Sequence, residues 1–309
     1  MLKFIIKRIL MMIPVLIGVS FLIFAIMSLT PGDPASLKLG EGASREEINE
    51  VRQEMGLNEN FFVRYGKYIA DAVRGDFGKS YITGVPVNQE LFSRFPTTLR
   101  LSIGAMIIMI VIGLPVGIIS AVKQYSIIDN ISLLFALILA SIPVFWLGLM
   151  LVLVFSLKLD WLPATGGDSW INFVLPCITL SAEFMAQLVR MTRSSMLEVI
   201  RQDYVRTAKS KGASEKRVIF KHALRNALLP IITVIGLNFG AMIGGAILVE
   251  AVFALPGIGT MLITSIRMKD TPSVMACVLF TAFCVSIINL VVDILYTFID
   301  PRLKSEYSK

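Results

Sequence analysis

The sequence predicts an all-α polytopic membrane protein with six transmembrane helices and a small helical segment outside the membrane between the first and second. Three observations predict it. Apolar residues make up 55% of the 309 and charged ones only 17%, against about 45–50% and about 25% in soluble domains. Mean hydropathy is +0.75. The apolar residues gather in uncharged runs of about 20, the length a helix needs to cross the hydrocarbon layer.

The first span is residues 9–29, preceded by Lys3, Lys7 and Arg8. A signal peptide shares the basic start. However, this run is long for a signal core, and Thr30-Pro31-Gly32-Asp33-Pro34 follows in place of a small-residue cleavage site. Residues 30–97 form the external segment. Ser44 with Glu47 makes a capping box, Ile48, Val51 and Met55 recur on one helical face, and Gly56 stops the helix. A second amphipathic stretch carries Phe61, Phe62, Tyr65, Tyr68, Ile69 and Val73. Residues 98–297 hold the other five spans: 101–122, 131–157, 173–189, 227–249 and 273–292. Pro115, Pro143, Pro176 and Pro230 fall within or at the ends of spans, which membrane helices tolerate. A tail, 298–309, closes the chain.

Basic residues set the orientation. The loops at 1–8, 123–130, 190–226 and 298–309 carry 17 Lys and Arg, ten of them in 190–226, against 11 on the opposite side. Both termini and the 190–226 loop are therefore expected in the cytoplasm. The net charge of +7 belongs to this asymmetry and not to nucleic acid. Cys177, Cys277 and Cys284 lie in apolar runs with no Cys-x-x-Cys or His/Cys cluster, which excludes a disulfide framework and a metal site.

The 190–226 loop has more pattern than a solvated basic loop requires. A helix around Asp203-Tyr204-Val205-Arg206-Thr207-Ala208-Lys209-Ser210-Lys211 ends at Gly212. A short amphipathic helix at 215–225 then carries Ile219, Phe220, Ala223 and Leu224 on one face. Such a face must cover either the parent bundle or a partner's groove, and periodicity alone leaves both open. This stretch, with His222-Ala223-Leu224-Arg225-Asn226-Ala227 and Pro230 after it, resembles the Glu-Ala-Ala loop of binding-protein-dependent ABC importer permeases. Aligned on Gly212, Ala208 and Leu224 match, whereas Arg206, Thr207, His222 and Arg225 depart from the general motif. They follow the form of the dipeptide/oligopeptide/nickel branch. Residues 29–34, Gly75-Asp76-Phe77-Gly78-Lys79-Ser80, Glu250-Ala251-Val252-Phe253, Pro256-Gly257-Ile258-Gly259, Asn289 to Asp293, and Asp300-Pro301-Arg302 resemble the same branch, specifically its first (B-type) permease subunit.

The resemblance implies a type I importer fold in a bacterial or archaeal cytoplasmic membrane. It implies a second homologous permease subunit, two cytoplasmic ABC ATPases and an extracytoplasmic substrate-binding protein as partners. Helix 215–225 would couple to an ATPase, and ATP and Mg would be bound there, with no cofactor in this chain. The coupling residues implied are Asp203, Tyr204, Thr207, Ala208, Lys211, Gly212, Ile219, Phe220, His222, Leu224 and Arg225. The implied cargo is di- or oligopeptides, with nickel chelates or glutathione as the alternative.

Polar residues inside spans are costly, at about 2.5–3.5 kcal/mol for an acid at the bilayer centre. Glu183, Gln187, Asn238, Asn289 and Asp293 are thus candidates for a water-filled path, or for hydrogen bonds between helices. Asp293 and Glu250, at span ends, read as structural. Gly236, Gly240 and Gly244 form a stripe on span five that permits close helix approach; Gly240 and Gly244 are also candidates for a smooth path wall. Gly78-Lys79-Ser80 is no phosphate loop, because Val73 stands where that pattern needs glycine. No catalytic residue is expected. The one histidine lies outside the spans, His-Glu-x-x-His is missing, and no second aspartate accompanies Asp293 within a span. An ATP-independent carrier or channel would leave the 215–225 stripe without a partner.

Overall fold

Most of the apolar runs become single helices, and polar residues mark where they start and stop. The computed structural model describes residues 2–40, 42–167 and 169–299. The closing Asp300-Pro301-Arg302 motif and the tail beyond it lie outside the described residues.

Helix α1, Leu2–Leu29, is apolar on nearly every side and continues through Pro14. Three short helices follow: α2, Pro34–Leu39; α3, Arg45–Glu54; and α4, Phe61–Val73. The predicted capping box closes α3. The Glu47 amide donates to Ser44 Oγ at 3.2 Å and the Ser44 amide to Glu47 Oε2 at 2.8 Å, and Gly56 ends the turn at φ +65°. Phe61 and Tyr65 of α4 lie on α1 against Phe21 and Phe24. The Tyr65 hydroxyl donates to the Ile17 carbonyl at 3.2 Å. These edge and tilted ring contacts, with Phe24 buried beneath them, fix the external segment to the first span.

Helix α5, Val87–Val122, starts eleven residues before the sequence boundary at 98. Glu90 and Arg94 pair at 3.3 Å within it and hide its amphipathic opening from a hydropathy reading, while Val87 and Leu91 are fully buried. A widened π turn, Met109–Gly113, precedes Pro115; such turns relieve the missing proline N–H. After a turn at Tyr125 (φ 64°), α6, Ile127–Ser141, is capped by Ser126.

The expected span 131–157 is corrected here. Helix α6 stops at Ser141 and α7, Val144–Lys158, leaves at 101° to it. Ile142 is forced to extended backbone (φ −83°, ψ 125°) by Pro143, which excludes the helical conformation from the residue before it. The two halves still make one crossing. Helix α6 begins at Asp129 beside Arg193, near one end of α8, Val174–Ile200. In α7, Gly148 lies against Thr179 near the other end of α8. Among the described residues, five further helices are long and apolar enough to cross a membrane.

Helix α8 is the central one, with 61% of its apolar window buried, against 11% for α1. Beyond it come α9, Asp203–Ser210, and α10, Glu215–Val252. The expected separate helix at 215–225 is corrected too. It runs into the fifth span through a widened turn, Val218–Leu224, because no glycine or proline stands between Ser214 and Pro230. Helix α11, Ile258–Arg267, precedes α12, Thr271–Ile299.

Candidate functional site

Two short helical stretches meet at one end of the bundle, and their buried sides are narrow. Val205 anchors α9; Val218 and Ala223 anchor the start of α10. Gly212 joins them at φ +80° with open space where a Cβ would stand, a backbone conformation that side-chain-bearing residues disfavour by roughly 1–2 kcal/mol. The predicted apolar stripe divides. Ile219, Ala223 and Leu224 pack on the bundle core, whereas Phe220 points outward, 60% exposed, as does Tyr204, 44% exposed.

The remaining predicted residues surround these rings. Asp203, Thr207, Lys211 and Arg225 are exposed, and Ala208 and His222 half-buried. Thr207 Oγ1 donates to the Asp203 carbonyl at 2.9 Å. Asn226 Nδ2 donates to the His222 carbonyl at 2.7 Å, so these bonds hold the helices themselves. Two outward aromatic side chains among exposed Arg206, Lys209, Lys211, Lys216, Arg217 and Lys221 form a surface fit for a partner with an apolar cleft and acidic rim.

The intramembrane candidates separate into two groups. Glu183 and Gln187 are exposed on one side of α8. Asn238 is buried and donates to Met109 Sδ at 3.7 Å, and Gly240 is buried against Asn289 and Val285 of α12. Both sit in helix–helix contacts within this chain. Gly236 lies so close to Val292 that a Cβ would collide with it, while Gly244 faces open space.

Motifs far apart in sequence converge at the opposite end. The fully buried Glu250 accepts from Thr98 Oγ1 at 2.5 Å, the Gly259 amide at 2.7 Å and the Thr260 amide at 3.2 Å. It thereby satisfies donors at the start of α11. Asp270 accepts from Ser80 Oγ, the Tyr81 amide and Ser273 Oγ at 2.5–2.9 Å, tying the Gly75–Ser80 turn to α12. Lys269 Nζ donates to the carbonyls of Thr30, Pro31 and Gly32. Away from this cluster, nearer the α9–α10 end, Asp293 pairs with Arg8 of α1 at 3.2 Å.

Sequence reading missed Asp129. It is 1% exposed and bound bidentately by Arg193 at 2.7 and 2.8 Å, with Ser120 Oγ and the Tyr125 amide completing its shell. The only hint was its place in the connection 123–130, which otherwise reads as a solvated loop.

Residues 113–305 match the family model described as "Binding-protein-dependent transport system inner membrane component", and residues 1–104 match the N-terminal model of such membrane components. The chain is 44% identical over 304 residues to the glutathione transport system permease protein GsiC of Escherichia coli K12, covering 98% of this chain and 99% of that one. It is 42% identical over 332 residues to the dipeptide transport system permease protein DppB of Alkalihalophilus pseudofirmus, covering 98% and 100%. Among solved structures, an inward-facing MetNI methionine ABC transporter chain superposes with a TM-score of 0.59 at 20% identity, over 69% of this chain and 97% of that one.

Proposed function

The chain belongs to the binding-protein-dependent transport-system inner-membrane component family, and we propose that it forms the first of two permease subunits around a path for short peptides. It is a multi-pass ABC importer permease. In our reading both termini and the α9–α10 surface face the cytoplasm, in a bacterial or archaeal cytoplasmic membrane. Two ABC ATPases, which bind the ATP and Mg, dock there, and a substrate-binding protein engages the opposite end. Work is done by alternating access, with no bond chemistry in this chain.

The observation that carries the coupling assignment is the outward display of Tyr204 and Phe220 on a rigid, glycine-turned pair of helices. A helix–turn–helix anchored on Val205, Val218 and Ala223 transmits force to the bundle, because α10 continues unbroken into its fifth span. A loose basic loop could not do this. Both a dipeptide and a glutathione permease are close relatives, and di- and oligopeptides with free termini are the cargo class common to the two readings. Competition of labelled trialanine uptake by dialanine, glutathione and a nickel chelate, in cells carrying the whole transporter, tests this. Competition by the peptides supports it, and competition by the nickel chelate alone contradicts it.

A further inference from the structure

Over residues 9–27 of α1 and 131–140 of α6 the exposed side chains are apolar, among them Leu10, Val15 and Leu22 on the first and Ile131, Leu134 and Leu137 on the second. Lipid contact demands this, since a charge facing hydrocarbon is costly. Helix α8 departs from the rule. Although it is the most buried span, from its middle onward it exposes Glu183, Gln187, Arg190, Ser194 and Glu198. Their spacing of four, three, four and four returns to one side of a helix. None of these side chains is bonded to another described residue. At the end of the face a cleft opens, lined by Ser194 and Glu198 with Arg201 and Gln202.

We propose that this face of α8 lines the translocation path and holds a zwitterionic short peptide, its ammonium end at Glu183 and its carboxylate end at Arg190. The inference rests on the short-peptide reading above and deepens it by naming the contacts. Charge complementarity selects the occupant: an acid and a guanidinium stand on one face with an amide, Gln187, between them. Seven residues of helix separate the two charges by about 10 Å. An extended chain covers about 3.3–3.6 Å per residue, so the termini of a tripeptide reach both. Gln187 offers a donor and an acceptor to the peptide backbone between them, which makes the site indifferent to side chains.

The test uses the assembled transporter in proteoliposomes with Gln187→Cys, a charged water-soluble methanethiosulfonate as the label, and the wild-type chain as the background. The variant should be labelled, and trialanine should slow labelling at least fivefold. N-acetyl-trialanine amide, which lacks both terminal charges, should not slow it. Adding Glu183→Gln should remove the protection by trialanine. Equal protection by both peptides overturns the proposal. So does a cysteine that labels in the isolated chain but not in the assembled transporter, because the second permease subunit then covers this face. ATP-driven uptake of trialanine by the wild-type assembly separates the two readings. Uptake without protection overturns the path assignment alone, whereas no uptake overturns the peptide reading and this inference with it.

Discussion

Asp129 and Arg193 illustrate how much a single buried pair can hold. The carboxylate is removed from water but receives two guanidinium bonds, a hydroxyl and an amide, so its desolvation is offset by partners. Asp129→Asn should destabilise the solubilised protein by about 3–5 kcal/mol, the usual cost of leaving one charge of a buried pair alone. Melting curves will measure it, and Asp129→Asn with Arg193→Gln should cost less than the two singles added. At the exposed capping box the effect is milder and pH-dependent. The Ser44 amide, then its hydroxyl, hold Glu47 below the usual carboxylate range. Its contribution is therefore present above the ordinary carboxylate pKa and is lost as pH falls through the lower folded value. Amide exchange across 44–48, corrected for intrinsic rate, should quicken at acid pH in the wild type and show less pH dependence in Glu47→Gln. Ser44 and Glu47 were legible because a capping box is local. Asp129 was not, since its partner lies 64 residues away and turn aspartates usually face solvent.

At the scale of elements, apolar run length located the spans, but a run does not record its own bends. Pro143 was visible in the sequence, yet whether a membrane proline kinks a helix or breaks it depends on the neighbours that re-satisfy the freed backbone. Here the break at Ile142 turns the third span by 101°. The start of α5 was misplaced for the opposite reason. Its first turns are polar enough to read as loop, and Val87 and Leu91 reveal their burial only through contact with α11 and α12. The glycine stripe of α10 separates packing from open space in a testable way. Gly236→Ala places a Cβ into Val292 and should cost about 1–3 kcal/mol by overpacking. Gly244→Ala meets nothing within 4 Å and should be neutral or slightly stabilising, given alanine's better helix propensity. Thermal melts of the two variants side by side will decide it.

For the whole molecule, the two ends of the bundle are built differently. One end is clamped by Glu250, Asp270 and Lys269, each satisfying donors or acceptors from distant motifs, while the other displays Tyr204 and Phe220 to the outside. Their place in a helix–glycine–helix pattern was legible; the division of labour between Ile219 and Phe220 was not, because periodicity gives a face without saying which half the bundle takes. Phe220→Asp should leave the chain folded and inserted and reduce ATP-driven uptake at least tenfold, whereas a charge at Ile219 should also lower the melting temperature. The most direct measurement is to purify the tagged chain gently from its native membrane and identify its partners. A second homologous six-span permease with ABC ATPases, lost on Phe220→Asp while the permease pair remains, is the predicted result. A homo-oligomer that transports without any ATPase would contradict it.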